Sequence, residues 1–379
     1  MNGSNIPLDR LRTWLLLGYV TAFLPERHRE FVQFYGSLEA AAAASEFDWR
    51  RHGLLRGLES NDILSPAFAG AAGSKRPMGG NGWFENQMTA ARRAGASILT
   101  LEDERYPPLF RTIYDPPCVV YARGAADLSR PSIAVVGARR ATEYGLNVAE
   151  KIARDLSLSG LSVVSGGARG IDSAAHRGAL SVQGSTVAVM GSGLDVAYPS
   201  ENAPLFDAIA ERGALLSEFP FGTSPQPRYF PVRNRLIAGL SLGVVVVEGE
   251  AHSGSLITAR LAADAGREVF AVPGPITEPA SEGPHRLIQD GAKLVRRVED
   301  ILDELPPEAA AQARLPLTEE EESGDTALLD AIDAHRACTL DEITARTGKA
   351  AGDLLGALMD LELRDKVSRV SGGRYIRKA

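Results

Sequence analysis

Between Ser132 and Val298 the chain repeats one pattern, a short apolar run rich in β-branched residues followed by a helical stretch. The runs are Ser132 to Val136, Leu161 to Val164, Thr186 to Met190, Leu215 to Glu218, Val244 to Glu248 and Val269 to Val272. Because apolar residues fill consecutive positions, the runs predict strands buried on both faces, hence a parallel sheet with helices on either side. Such a doubly wound α/β sheet binds ligands beyond the carboxyl ends of its strands. Upstream, Leu11, Leu15 and Leu16, then Phe31, Phe34 and Tyr35, recur at helical spacing and predict a small helical domain over residues 1–64. The apolar run Trp14 to Leu24 is expected to be a core helix. It is about half a membrane span, is followed by the charged stretch Pro25 to Glu30, and lacks a small-residue cleavage site.

Two stretches interrupt this periodicity. Residues 65–84, dense in Gly, Ala and Pro from Ser65 to Gly82, predict a flexible linker, and residues 306–325, with the acidic run Glu319 to Glu322, predict an acidic linker. After them, helical stretches at Ala327 to His335, Leu340 to Thr347 and Ala350 to Leu361 precede strands around Val367 to Val370 and Arg374 to Arg377, turned at Gly372-Gly373. Three helices and a hairpin predict a winged-helix domain over residues 326–379. The fold class is therefore α/β: a Rossmann-like central domain over residues 85–305, flanked by a small helical N-terminal domain and a C-terminal winged helix.

Composition narrows the function classes. In 379 residues, 44% are hydrophobic and 23% charged, which excludes global disorder. The two cysteines, Cys118 and Cys338, fall in different predicted domains and suggest neither a disulfide framework nor a cysteine-rich metal site, which fits a cytoplasmic protein. A net charge of −7 argues against gripping duplex DNA with the whole surface, so a nucleic-acid site has to be local.

Three segments concentrate that chemistry. In the first, Val136 to Thr142, Gly137 permits close backbone approach, Thr142 can cap the next helix, and Arg139 and Arg140 sit where ligands of parallel sheets bind. Taken by itself, a structural turn with solvent-facing arginines fits this loop equally well. In the second, Ser165 to Asp172, Gly166, Gly167 and Gly170 offer backbone amides beside a helix N-terminus, with Arg169 among them, a pattern that can cradle phosphate. It is neither a Walker loop nor a complete dinucleotide fingerprint, so ATP and NAD are not expected and no cofactor is assigned. Asp172 is expected to cap the helix and His176 to pack in the core. The third segment, Phe219 to Arg235, interleaves aromatics, prolines and arginines in one irregular stretch, including Arg233, Asn234 and Arg235. Aromatic faces stack unpaired bases while guanidinium groups hold phosphates. Some of these aromatics are expected to cap the core instead.

Gly239 to Gly243 matches a nucleophile-elbow pattern, but in helix-to-strand order, the reverse of the context that activates a serine. No metal-ligand spacing is present, so neither a catalytic nor a metal site is assigned. The presumed recognition helix from Ala350 to Leu361 carries two acids and no base, which favours a protein-contact or autoinhibitory role over sequence-specific duplex reading.

Taken together, five blocks resemble the DNA-processing protein A (DprA) family, also called Smf. They are Tyr106-Pro107-Pro108-Leu109, Gly137-Ala138-Arg139, Ser165 to Asp172, Phe230 to Arg235, and Ser253 to Ala259, within residues 85 to 300. The resemblance implies single-stranded DNA binding in a basic pocket, a homodimer, loading of the RecA recombinase during natural transformation, and no catalytic turnover. It also implies a SAM-like N-terminal domain. On this sequence it places Arg139 and Arg169 in the pocket, Ser165, Gly166 and Gly167 on its floor, and Arg233, Asn234 and Arg235 on its wall. Two features depart from the family pattern: Pro284-His285 stands where an asparagine is usual, and the N-terminal region lacks a clear Gly-Val-Gly hairpin. The enzyme alternative is a nucleoside-phosphate hydrolase on a related fold. Its expected glutamate is replaced here by Thr258.

Overall fold

A computed structural model describes residues 6–44, 46–55, 81–313, 328–333, 336–348, 351–363, 366–370 and 373–377. The expected flexible linker lies outside the described residues except for 81–84, which already belong to a helix. The chain forms two compact units, Met1–Arg314 and Leu315–Ala379.

The first unit is built on a sheet of nine strands: β1 (Ala96–Thr100), β2 (Val119–Gly124), β3 (Ser132–Val136), β4 (Ser162–Ser165), β5 (Thr186–Val189), β6 (Ala214–Ser217), β7 (Gly243–Val246), β8 (Glu268–Ala271) and β9 (Lys293–Leu294). Their spatial order is β1-β2-β6-β5-β4-β3-β7-β8-β9. From β6 through β9 every pairing is parallel, while β1 and β2 extend the sheet antiparallel. Alternate residues of one strand serve opposite cores: Ala134 and Val136 join one hydrophobic cluster, Ile133 and Val135 the other. Burial on both faces is why these strands read as unbroken apolar runs.

Four N-terminal helices, α1 (Leu8–Phe23), α2 (Glu26–Tyr35), α3 (Leu38–Ala43) and α4 (Glu46–Arg51), share the first of these clusters with β1 and β2. Gly18 of α1 packs so closely that a Cβ would lie 2.9 Å from the Val119 side chain. Trp14, Phe31 and Trp49 are fully buried, so the run from Trp14 is a core helix as expected. Helix α5 (Asn81–Arg93) then leads into β1.

Helices α6 (Glu143–Leu158), α7 (Ile171–Ser181), α8 (Ala203–Arg212), α9 (Tyr229–Gly239), α10 (Gly254–Asp264), α11 (Glu282–Gln289) and α12 (Glu299–Leu302) belong to the sheet region. The expected acidic linker begins instead with α13 (Pro307–Ala313), whose Ala309 and Ala313 are buried. Its apolar alanines belong to the core, and only the stretch after it carries the acidic run. No helix among the described residues is long and apolar enough to cross a membrane.

The second unit has the winged-helix arrangement: helices α14 (Leu340–Thr347) and α15 (Ala351–Leu363) and the hairpin β10 (Val367–Val370) with β11 (Arg374–Arg377). Thr339 and Glu342 form a reciprocal capping box at α14, and Gly348 ends it in the left-handed conformation. Of the expected first helical stretch only residues 328–333 are described, and they form a single turn.

Candidate nucleic-acid interface

In the sheet, β7 lies beside β3, and the chain crosses from one half to the other there. The loops after β3 and β7 diverge to opposite faces at such a switch point, and the crevice between them is where doubly wound sheets bind ligands. A cavity of about 610 Å³ fills this crevice. The loop after β3 is fixed before any ligand arrives. Thr142 caps α6 by accepting from the Gly145 amide at 3.1 Å. Its own amide donates at 2.9 Å to the buried carboxylate of Glu248, beyond β7, and its hydroxyl donates to the other oxygen of that group at 2.5 Å. At Gly137 a Cβ would fall 2.6 Å from Ile171, so the residue type is set by packing. Arg139 and Arg140 emerge exposed from this rigid turn, and among the described residues no carboxylate pairs with either.

The second loop differs from its sequence reading. The Gly166 and Ala168 amides donate to Asp172 at 3.2 and 3.3 Å, so they turn inward rather than waiting for an anion. Asp172 therefore braces the loop, and the N-cap of α7 is Gly170. Burial pushes the Asp172 carboxyl above the usual carboxylate range, opposed by the charge of Arg233. Gly167 and Gly170 have φ of 64° and 73°, which explains why glycine stands at both. Ser165 is fully buried and its hydroxyl donates to the Val135 carbonyl at 2.7 Å, so it supports the floor without facing the cavity.

The third segment separates by helical geometry. Tyr229 to Arg235 is not irregular but opens α9, with Pro231 in the first turn, where its missing N–H costs no helix bond. Phe219, Phe221 and Tyr229 are buried in the core. Phe230 is half-buried and lines the cavity. The Arg139 guanidinium lies 5.1 Å from the Phe230 ring centroid, and the Tyr198 ring centroid 5.5 Å from it. Arg233 is only 3% exposed, and it donates to the carbonyls of Gly166 at 2.6 Å and Val189 at 2.5 Å, tying the ends of β4 and β5 together beneath Phe230. A Cβ on Gly166 would lie 2.2 Å from that guanidinium.

Arg235 does not line the wall. It projects away from the crevice into a buried ion pair with Glu218, salt-bridges Asp115 at 3.3 Å and donates to the Asp115 carbonyl at 2.8 Å. Residues two apart on a helix point in nearly opposite directions, so Arg233 and Arg235 could not both face one cavity. Asn234 does line it and donates to the Gly254 carbonyl at 3.3 Å, joining α9 to the start of α10. Arg169 is exposed at a narrow extension of the crevice, of about 20 Å³, shared with Arg139, Tyr198 and Phe230, and pairs with Glu201. Arg139, Arg169 and Arg233 thus surround connected space.

Tyr198 and the turn His252-Ser253-Gly254-Ser255, with the acid Glu250 just before it, also line the cavity and are absent from the sequence-based site. Ser253 caps α10, and nothing lies within 4 Å of a Cβ placed on Gly254, so this end of the cavity is open. Their positions just beyond β5 and β7 were the available signal.

His176 packs behind this site, fully buried, with Nδ1 2.8 Å from the Thr186 hydroxyl. Because that hydroxyl donates to the Val163 carbonyl, Nδ1 carries the proton and the ring is neutral. Burial lowers its pKa to about 3. A folded value below the unfolded one gives stability that is complete above the unfolded pKa and lost as pH falls through the folded one, here from about 6.5 to about 3. Urea unfolding is expected to show an acid loss on the order of 5 kcal/mol at most from this group, and His176→Met to remove that component.

These features define a class: an α/β protein with a cationic and aromatic crevice at the switch point of a parallel sheet, followed by a winged helix. Residues 97–306 match the family model described as DNA recombination-mediator protein A, and residues 306–373 match the DprA winged helix domain. The chain belongs to this DprA/Smf family of DNA-processing proteins. It is 38% identical over 302 residues to the protein Smf of Escherichia coli, covering 78% of this chain and 80% of that protein. The structure of DNA processing protein A from Streptococcus pneumoniae superimposes with a TM-score of 0.57 at 38% identity, covering 67% of this chain and 92% of the other. That from Helicobacter pylori, described for its single-stranded DNA binding mode, gives 0.50 at 31% identity, covering 55% and 97%.

Proposed function

We propose that the crevice binds single-stranded DNA, with Arg139 and Arg140 on phosphates and Phe230 and Tyr198 against unpaired bases, and that the chain, as a cytoplasmic homodimer, protects the strand and loads the RecA recombinase on it during natural transformation. The observation that carries the reading is an exposed guanidinium held over a half-exposed aromatic ring at the sheet's ligand-binding edge. That pair offers charge and stacking side by side, a combination that unpaired strands use and stacked duplex bases do not. The family match and the described binding mode of the Helicobacter pylori relative support it.

No turnover is proposed. Thr258, where the hydrolase alternative requires a glutamate, donates back to the Gly254 carbonyl inside its own helix.

Fluorescence anisotropy with a labelled oligothymidine, competed by unlabelled single strand or duplex, tests the binding. Affinity is expected to fall by about 0.7 logarithmic units per phosphate contacted for each tenfold rise in salt. Adding the chain is expected to speed RecA filament growth on the same strand. Absence of single-strand binding would overturn the reading, as would release of free base from nucleoside monophosphates.

A further inference from the structure

The second unit divides its charge by element. Residues 326–363, which include α14 and α15, hold three Lys or Arg against seven Asp or Glu. Residues 364–378, which include the hairpin, hold six Lys or Arg against one Asp. The helical part thus carries −4 and the hairpin segment +5. In ordinary winged helices the helix before the hairpin enters the major groove. Here that helix, α15, supplies Asp353, Asp360 and Glu362 by sequence and no base, and its exposed surface includes Leu355, 48% accessible. Against a phosphate backbone this helix is repulsive.

The hairpin presents the opposite chemistry. Val367 and Tyr375 are buried and fix its inner face on the helices, while Lys366, Arg369 and Arg374 are exposed. Arg377 is salt-bridged to Asp330 at 3.1 Å. The Arg369 amide donates to Glu362 at 3.3 Å, holding the first strand against the end of α15. Tyr375, the hairpin's own aromatic, is 5% exposed and offers no stacking surface. A cationic ribbon without an exposed ring has nothing with which to hold unpaired bases and everything needed to hold phosphates. This separates it from the crevice of the first unit, where charge and aromatic faces occur together.

We propose that this winged helix binds duplex DNA through its hairpin, by the phosphate backbone and without sequence preference, with Lys366, Arg369 and Arg374 as the contacts and α15 turned away from the groove. The protein would then hold unpaired and paired DNA on separate units. This replaces the protein-contact role expected from the recognition helix alone: that helix is unsuited to DNA, but the domain has a second surface that is suited to it.

The test compares the full chain with its Lys366→Glu/Arg369→Glu/Arg374→Glu variant by anisotropy on a blunt duplex and on an oligothymidine. With three phosphate contacts removed, the duplex salt slope is expected to fall by about 2.7 and duplex affinity at least about tenfold. Single-strand affinity should hold within about twofold, so loss on both probes would instead indict the folding of the chain or the crevice reading. Arg369→Lys/Arg374→Lys, which keeps the charge, should bind duplex as the parent does. Leu355→Glu on α15 should leave duplex affinity unchanged. Absence of duplex binding by the parent chain would overturn the proposal, and so would a triple variant that binds duplex unchanged, as expected if the hairpin instead docks the chain's own acidic run Glu319 to Glu322. A Leu355→Glu variant that loses duplex binding would place the helix in the groove and overturn it as well.

Discussion

Arg235→Met is expected to destabilise the first unit by about 3–5 kcal/mol while leaving the crevice intact, because it strands a buried carboxylate. Glu218 is 4% exposed and Arg235 is its partner, with Asp115 on the other side of the guanidinium. Even with that cation present, burial pushes the Glu218 carboxyl up to about 7. A folded value above the unfolded one contributes stability that is complete below the unfolded pKa, here 4.5, and is lost as pH rises through the folded value. Removing Arg235 takes away the main opposing charge and moves the folded value higher still. The deficit of the variant should therefore be smaller near about pH 5, where both chains carry a neutral Glu218, and larger near about pH 8. Glu218→Gln/Arg235→Met should recover much of the loss, since replacing both members of a buried pair is often close to neutral. Urea unfolding at the two pH values measures this. Unchanged stability together with lost DNA binding would return Arg235 to the binding surface.

The same residue shows where the sequence stops being informative. Burial on both sheet faces leaves a direct trace in composition, which is why the run Ser132 to Val136 coincides with β3 residue for residue. Thr142 was legible as a cap because capping is local: one side chain and one amide three residues on. The mixture of arginine and aromatic residues between Phe219 and Arg235 marked a segment near the site but not which side chains enter it. That assignment depends on the phase of α9 against the sheet, which buries Tyr229 and Arg233, leaves Phe230 at the cavity and sends Arg235 to Glu218. The inward turn of the Gly166 and Ala168 amides was hidden for a related reason. Asp172 read as a helix cap because caps are common at that spacing, whereas the loop's own curvature brings the two amides onto its carboxylate. The antiparallel extension by β1 and β2 escaped the periodicity because it lies outside the repeating unit, although Val119 to Ala122 forms an apolar run after Pro116-Pro117.

In the crevice, charge and stacking can be separated by salt. Arg139→Glu removes an exposed cation that has no carboxylate partner among the described residues and puts an anion in its place. A hydrogen bond to a charged group contributes about 1.5–3 kcal/mol, so single-strand affinity should fall by roughly one to two orders of magnitude. Its salt slope should flatten by about 0.7 for the phosphate no longer neutralised. Phe230→Ala removes a stacking face, about 1–3 kcal/mol per base, and should lower affinity by a similar factor with the slope unchanged. The two residues touch, at 5.1 Å from guanidinium to ring centroid. Losing the ring also frees Arg139, so the double variant should fall short of the summed losses by at least about 0.5 kcal/mol. Arg169→Glu should cost less than Arg139→Glu, because Glu201 already neutralises Arg169 in the free protein and has to be displaced before a phosphate can bind. Equal losses for both arginines would mean that the strand engages Arg169 as closely as Arg139, with Glu201 displaced, and unchanged affinity in both would place the site elsewhere on the protein.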